Sequence, residues 1–250
     1  YDSATYIEYG GKIALLNSKL KQVTDNIFMT GFGNSYDEGG LAHLILASTN
    51  KCGVVNVETG KTVIPFEYDK INLPSEELLC GEKDGKYGYL NIKNETVIPF
   101  IYDDGKDFSE GLAMVGKNSQ KMLTQHGVMW KKKYGFINKK GEIEIPLKFA
   151  DQTLVSLNSK GGFHDGLAAI GIDRPNYVYA GAIGYINKKG DFVISPQYDD
   201  ASAFFCEVAV IKKDDKYGAI NKKGDIIIPI QYGWGEIIEK ESNIGKGYNY

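Results

Sequence analysis

Few side chains in this 250-residue sequence are of types and at spacings that could do chemistry. Neighbouring carboxylates stand at Asp103-Asp104, Asp199-Asp200 and Asp214-Asp215, and paired acids can share general acid and base work or hold calcium. All three lie in or beside a recurring corner, where Asp serves by bonding nearby backbone, so turn formation is their expected role. Among the histidines, His43 has no nucleophile or acid indicated beside it. His126 near Trp130 and His164 next to Asp165 mark the two places where one atypical repeat could hold a hydrolytic site. Cys52, Cys80 and Cys206 are odd in number and lack CxxC spacing, which implies neither a disulfide framework nor a zinc site. P-loop, GxGxxG, HExxH, GxSxG and EF-hand patterns do not occur. The sequence nominates no catalytic, cofactor-binding or metal-binding residue, and the expectation is a protein that is not an enzyme and uses no cofactor.

Residues suited to recognition gather in two insertions. His126 and Trp130 fall in one that runs from 117 to 132, and Arg174, Tyr177 and Tyr179 in another near Asp173. Insertions in repeat proteins map to loops, often on one face, which makes these five the candidate partner contacts. The competing expectation for the first is a longer hairpin with Trp130 packed on a neighbouring unit.

What positions them is a repeat. Lys133-Tyr134-Gly135-Phe136-Ile137-Asn138-Lys139-Lys140-Gly141, leading to Ile145-Pro146, has copies beginning at Lys51, Lys86, Ile183 and Lys216. Their asparagines, at 56, 91, 138, 187 and 221, are 35, 47, 49 and 34 residues apart, the period of solenoids and propellers. The aromatic and β-branched first run suits a strand, Lys-Lys-Gly a tight reversal, and Glu142-Ile143-Glu144-Ile145 alternates at period two as a half-buried strand does. Proline at its far end should mark an edge, a bulge or the exit. An aromatic-Asp corner follows, as in Tyr68-Asp69 and Tyr198-Asp199, where an Asx turn is expected. Then comes a third strand, Gly111-Leu112-Ala113-Met114-Val115 or Gly166-Leu167-Ala168-Ala169-Ile170, with a possible fourth in the longer units.

The units run roughly 1–50, 51–85, 86–132, 133–182, 183–215 and 216–250, the first degenerate and the last ending in a tail, and they make one domain. The expected fold is all-β: about six tandem three- to four-stranded antiparallel repeats, β-propeller-like, with an open curved β-solenoid as the alternative. Closure would remove exposed sheet edges, while three clear strands per unit instead of four favours the solenoid.

A composition of 42% hydrophobic and 24% charged residues is ordinary for a soluble globular protein. Net charge is −3, acids and lysines read as spread through every unit, and Arg174 is the single arginine, so nucleic acid is not an expected partner. No apolar run approaches a membrane span. Starting at Tyr1, the chain reads as trimmed or processed, in the cytoplasm or secreted.

The signature Lys-Tyr-Gly-(Phe/Tyr/Ala)-(Ile/Leu)-Asn-x-Lys-Gly, then Ile-Pro, Tyr-Asp and Gly-Leu-Ala-x-Val, resembles the WG (KWG) repeat family of bacterial β-repeat proteins. It does so clearly over 51–238 and weakly over 12–50. The family's Trp before Gly is here Tyr87, Tyr134 and Tyr217, with Cys52 and Ile183 in the other copies. The resemblance implies a repeat scaffold and brings no catalytic residues. The expected function is a non-catalytic scaffold recognising a protein partner. A multivalent carbohydrate-binding module, using Tyr and Asp of each corner, is the alternative, and a hydrolase in one atypical repeat the second.

Overall fold

The computed structural model describes residues 5–25, 27–29, 35–36, 40–124, 127–150, 161–172 and 181–236. The chain divides into two compact units, Tyr1–Phe108 and Ser109–Tyr250. In the first, β1 (Thr5–Tyr9), β2 (Lys12–Leu16), β3 (Phe28–Met29), β4 (Ser35–Tyr36), β5 (Leu41–Leu46), β6 (Lys51–Asn56) and β7 (Thr62–Tyr68) share a sheet. Its order is β1-β2-β3-β5-β6-β7, with β4 against β5. A second sheet, ordered β11-β10-β9-β8, is built from β8 (Lys70–Ile71), β9 (Leu79–Lys83), β10 (Lys86–Leu90) and β11 (Thr96–Tyr102). Strand β12 (Asp104–Ser109) carries the chain into the second unit.

There, β13 (Leu112–Thr124), β14 (Gly127–Asn138) and β15 (Ile143–Phe149) lie side by side, followed by the sheet of β16 (Ala168–Gly171), β17 (Ile183–Ile186) and β18 (Phe192–Tyr198). The last sheet holds β19 (Asp200–Ala201), β20 (Val208–Lys213), β21 (Lys216–Asn221) and β22 (Ile226–Tyr232). The pairs within each are antiparallel, and the chain is all-β and propeller-like: one seven-stranded sheet followed by three- and four-stranded meanders.

Sequence repeat and sheet are out of phase. The Gly-Leu-Ala strand that ends one repeat pairs with the Lys-Tyr-Gly strand that begins the next: β9 with β10, β13 with β14, β16 with β17, β20 with β21. A fourth strand follows the Tyr-Asp corner in three units: β12 in the long unit 86–132, as expected, and the two-residue β8 and β19 in the two short units, where none was expected. The long unit spends its further residues on lengthening β13 and β14.

The conserved geometry of the hairpin explains the repeat's fixed points. The proline strands β7, β11, β15, β18 and β22 each lie at the edge of their sheet and bulge. Tyr87 pairs with Tyr102 and Tyr89 with Ile98, so one residue on β10, Gly88, faces three on β11. A Cβ on Gly88 would stand 2.8 Å from the Ile98 carbonyl oxygen and the Phe100 ring, and Gly53, Gly135, Gly184 and Gly218 meet the same obstruction. The motif glycine is therefore set by backbone approach. The motif asparagine ties the reversal: Asn138 Oδ1 accepts the N–H groups of Lys140 and Glu142 at 2.9 and 3.1 Å, a pattern repeated by Asn91, Asn187 and Asn221. Asn17 does the same for Lys19 and Lys21 in the first 50 residues.

Strands β16 and β17 are buried on both faces, as their consecutive buried residues show. In the second unit Phe136, Ile145 and Met114 pack with Phe163, Ala168 and Ile186, while Tyr185, Ile183 and Ile194 turn the other way onto Phe204, Ala209 and Ile211. Each sheet there shares its core with the next.

Candidate interaction site

Most residues with chemical potential are consumed by the scaffold. The first corner acid does not close an Asx turn on itself. Asp69 Oδ2 accepts the Asp84 N–H and Asp199 Oδ2 that of Asp214, 2.9 and 2.8 Å, clamping the next hairpin tip. Asp69 also pairs with Lys51, whose ammonium holds the carboxyl below its usual range, and Asp103 pairs with Lys86. The second acids, Asp104 and Asp200, are buried and accept the following N–H, from Gly105 and Ala201. The corner rings Tyr68, Tyr102 and Tyr198 are buried, so these tyrosines present no stacking face to a sugar.

His164 and Asp165 open a reversal in which the Asp165 carboxylate accepts the Glu207 N–H at 2.8 Å. Burial lowers the pKa of His43 and raises that of the Cys52 thiol. Cys80 is pushed up to about 12 by the same cause. Among the described residues no group of three or more His, Cys, Asp and Glu side chains could hold a metal ion. A shallow cleft of about 550 Å³ in the first unit, lined by Gln22, Asp25, Phe28, Leu46 and Phe66 among others, brings no titratable cluster together.

Among the described residues, the insertion at 117–132 is where the repeat is extended. It forms a two-stranded arm in which Lys117 pairs with Lys133, Lys121 with Trp130, Leu123 with Val128 and Thr124 with Gly127. The pairing to β15 stops at Tyr134, so the arm continues past that strand. Aromatic, β-branched and long side chains facing across the ribbon favour this extension over a loop. A one-residue irregularity between Asn118 and Gln120, where Ser119 Oγ donates to the Lys131 carbonyl at 2.9 Å, fixes the register.

The longer hairpin is as expected, but Trp130 is not packed away: it is 49% exposed, and Val128, two residues before it, 50%. Lys131, of opposite parity, is 2% exposed. Along β14, alternation therefore puts Val128, Trp130 and the half-buried Lys132 on one face, with Lys121 across from the ring. Lys121 and Lys132 form no ion pair among the described residues.

Charge is also less even than expected. From Gly111 to Gly141 there is no Asp or Glu, and the arm holds Lys117, Lys121, Lys131, Lys132 and Lys133. With the chain at −3 and the arm at +5, the remainder stands at −8. This surplus is visible in the sequence only once the arm is taken as an element of its own. Of the other candidate contacts, His126, Arg174, Tyr177 and Tyr179 lie outside the described residues, so Trp130 is the one that the structure locates.

A family profile described as WG containing repeat matches residues 53–87, 87–120, 134–151, 183–217 and 217–239. No curated protein matches in sequence. Among solved structures, Hsv2 of Kluyveromyces lactis is similar at 11% identity and TM-score 0.45, covering 87% of this chain and 70% of that one. KlHsv2 with loop 6CD replaced by a Gly-Ser linker is similar at 8% and 0.37, covering 86% and 88%. Apo AztD from Citrobacter koseri is similar at 10% and 0.34, covering 90% and 55%. The profile matches more than half of the chain and takes in all five motif glycines and all five motif asparagines. The chain belongs to the family of WG-containing repeat proteins.

Proposed function

We propose that this WG-repeat chain is a non-catalytic binding scaffold that recognises a protein partner through the arm of β13 and β14. The observation that carries this is the contrast in use of side chains. The repeat's Gly, Asn, Tyr and Asp residues are spent on hairpins and corners, whereas Trp130 and Val128 stand half exposed on an arm that the sheet does not need. Exposed aromatic side chains on a rigid support are the usual anchors of protein interfaces.

Because Lys117 and Lys133 are cross-strand partners, residues 118–132 can be replaced by Asn-Gly, a two-residue turn that closes the ribbon at that register. The shortened chain should keep the strand content and thermal transition of the full one. A photo-crosslinker introduced at position 130 of the full chain should trap one protein species, and that species should not be retained by the shortened chain. Equal retention by both chains would refute the arm as the docking surface.

A further inference from the structure

We infer that the segment docking on the arm is an acidic stretch of polypeptide with an apolar side chain, the latter seated on Val128 and Trp130 and its carboxylates on Lys121 and Lys132. This rests on the arm being the docking surface. Trp130 lies directly opposite Lys121, and Lys132 follows on the same face. Cross-strand neighbours are about 5 Å apart and residues two along a strand about 7 Å, so two cations flank one ring. Neither is already neutralised by an ion pair among the described residues. An acid placed one or two residues from an apolar side chain reaches these cations while the apolar group covers the indole.

A polyanion fits less well. The exposed Lys121 and the half-buried Lys132 match two carboxylates, but a nucleic acid or an anionic bilayer extends past the arm. Within roughly 8 Å, the screening length at physiological salt, it meets a body whose remaining charge is −8. The chain's single arginine also leaves almost no bidentate phosphate contacts.

The test is selection of short random peptides displayed on phage against the full chain. The expected result is enrichment of Asp and Glu beside an aromatic or aliphatic residue. Affinity for a synthetic copy should fall about tenfold, the order expected for losing two charge contacts or one anchor, in Lys121→Gln/Lys132→Gln and in Trp130→Ala. Added salt should weaken binding to the wild type and leave the double variant nearly unchanged.

No enrichment, or peptides indifferent to all three positions, overturns the inference. Peptides without excess acid that still need Trp130 overturn it as well, but leave the arm as a protein-docking surface. Oligothymidylate or phosphatidylserine vesicles that bind more tightly than any selected peptide, and lose binding in the same variants, would assign the face to a polyanion instead.

Discussion

At the scale of single residues, the family's glycine is explained by one backbone approach. Alanine at position 88 must put its Cβ 2.8 Å from the Ile98 carbonyl oxygen and the Phe100 ring, both held in the bulge of β11. The bulge has to shift, and the expected loss for Gly88→Ala is about 2–3 kcal/mol, in the range of overpacking. Gly85, at φ +71 with open space around it, supplies the comparison. Gly85→Ala pays only for the left-handed backbone, about 1 kcal/mol. Denaturant midpoints at unchanged slope would read both, and equal losses would refute the close approach as the cause. The sequence displays this glycine as a fixed point of the repeat but hides its reason, because the obstructing carbonyl lies ten residues on, across a bulge. The asparagine was equally legible as a marker, and its bonds to N–H groups two and four residues ahead are local enough to be anticipated from turn chemistry.

At the scale of elements, each Gly-Leu-Ala strand is entered through a two-residue reversal with both residues at positive φ. Glu110-Gly111 and Asp165-Gly166 place glycine at the second position, whereas Cys206 and Glu207 take φ 48° and 65° without one. Left-handed backbone costs an ordinary residue about 1–2 kcal/mol, partly offset by the greater freedom glycine regains on unfolding. Cys206→Asn with Glu207→Gly is therefore expected to stabilise the chain by about 1 kcal/mol. The bond from the backbone N–H at 207 to Asp165 is retained. A lower melting temperature would show that the side chains at this tip hold the turn. Hairpins, edge prolines and the lengthened hairpin of the insertion were readable from period-two alternation and phasing. The two-residue strands β8 and β19 were not, since pairs as short as Lys70-Ile71 carry no periodicity and arise from corner acids that bond across to the next tip. Nor was the arm's open face, because averaging charge over whole units conceals a run of lysines without acids.

At the scale of the molecule, the mismatch between repeat and sheet ties neighbouring repeats together. Each sheet is made by two of them, and Tyr185 shows how the second unit extends the bond from sheet to sheet. Its ring is fully buried beside Phe204, and its hydroxyl donates to the Ser202 carbonyl at 2.8 Å. We propose that such sharing makes the second unit fold cooperatively. Tyr185→Phe strands the Ser202 carbonyl and should cost about 1–2 kcal/mol at neutral pH, with amide protection falling together in β17, β20 and β21. Loss confined to β17 would show the sheets to be independent.

The same hydroxyl gives the pH dependence a sign. Burial raises the Tyr185 pKa above its ordinary value of 10.0, so above that pH the folded chain keeps a proton that the unfolded chain has released. Stability is then full below pH 10 and falls as pH rises beyond it. Tyr89 and Cys80, also raised by burial, act in the same direction, Cys80 from 9.0 towards about 12. Phenylalanine at 185 has no proton to lose. Its stability deficit should be greatest at neutral pH and shrink as the two chains approach alkaline unfolding, which denaturant titrations along that range would follow. A constant deficit from neutral to alkaline pH would mean that Tyr185 does not ionise in the unfolding step.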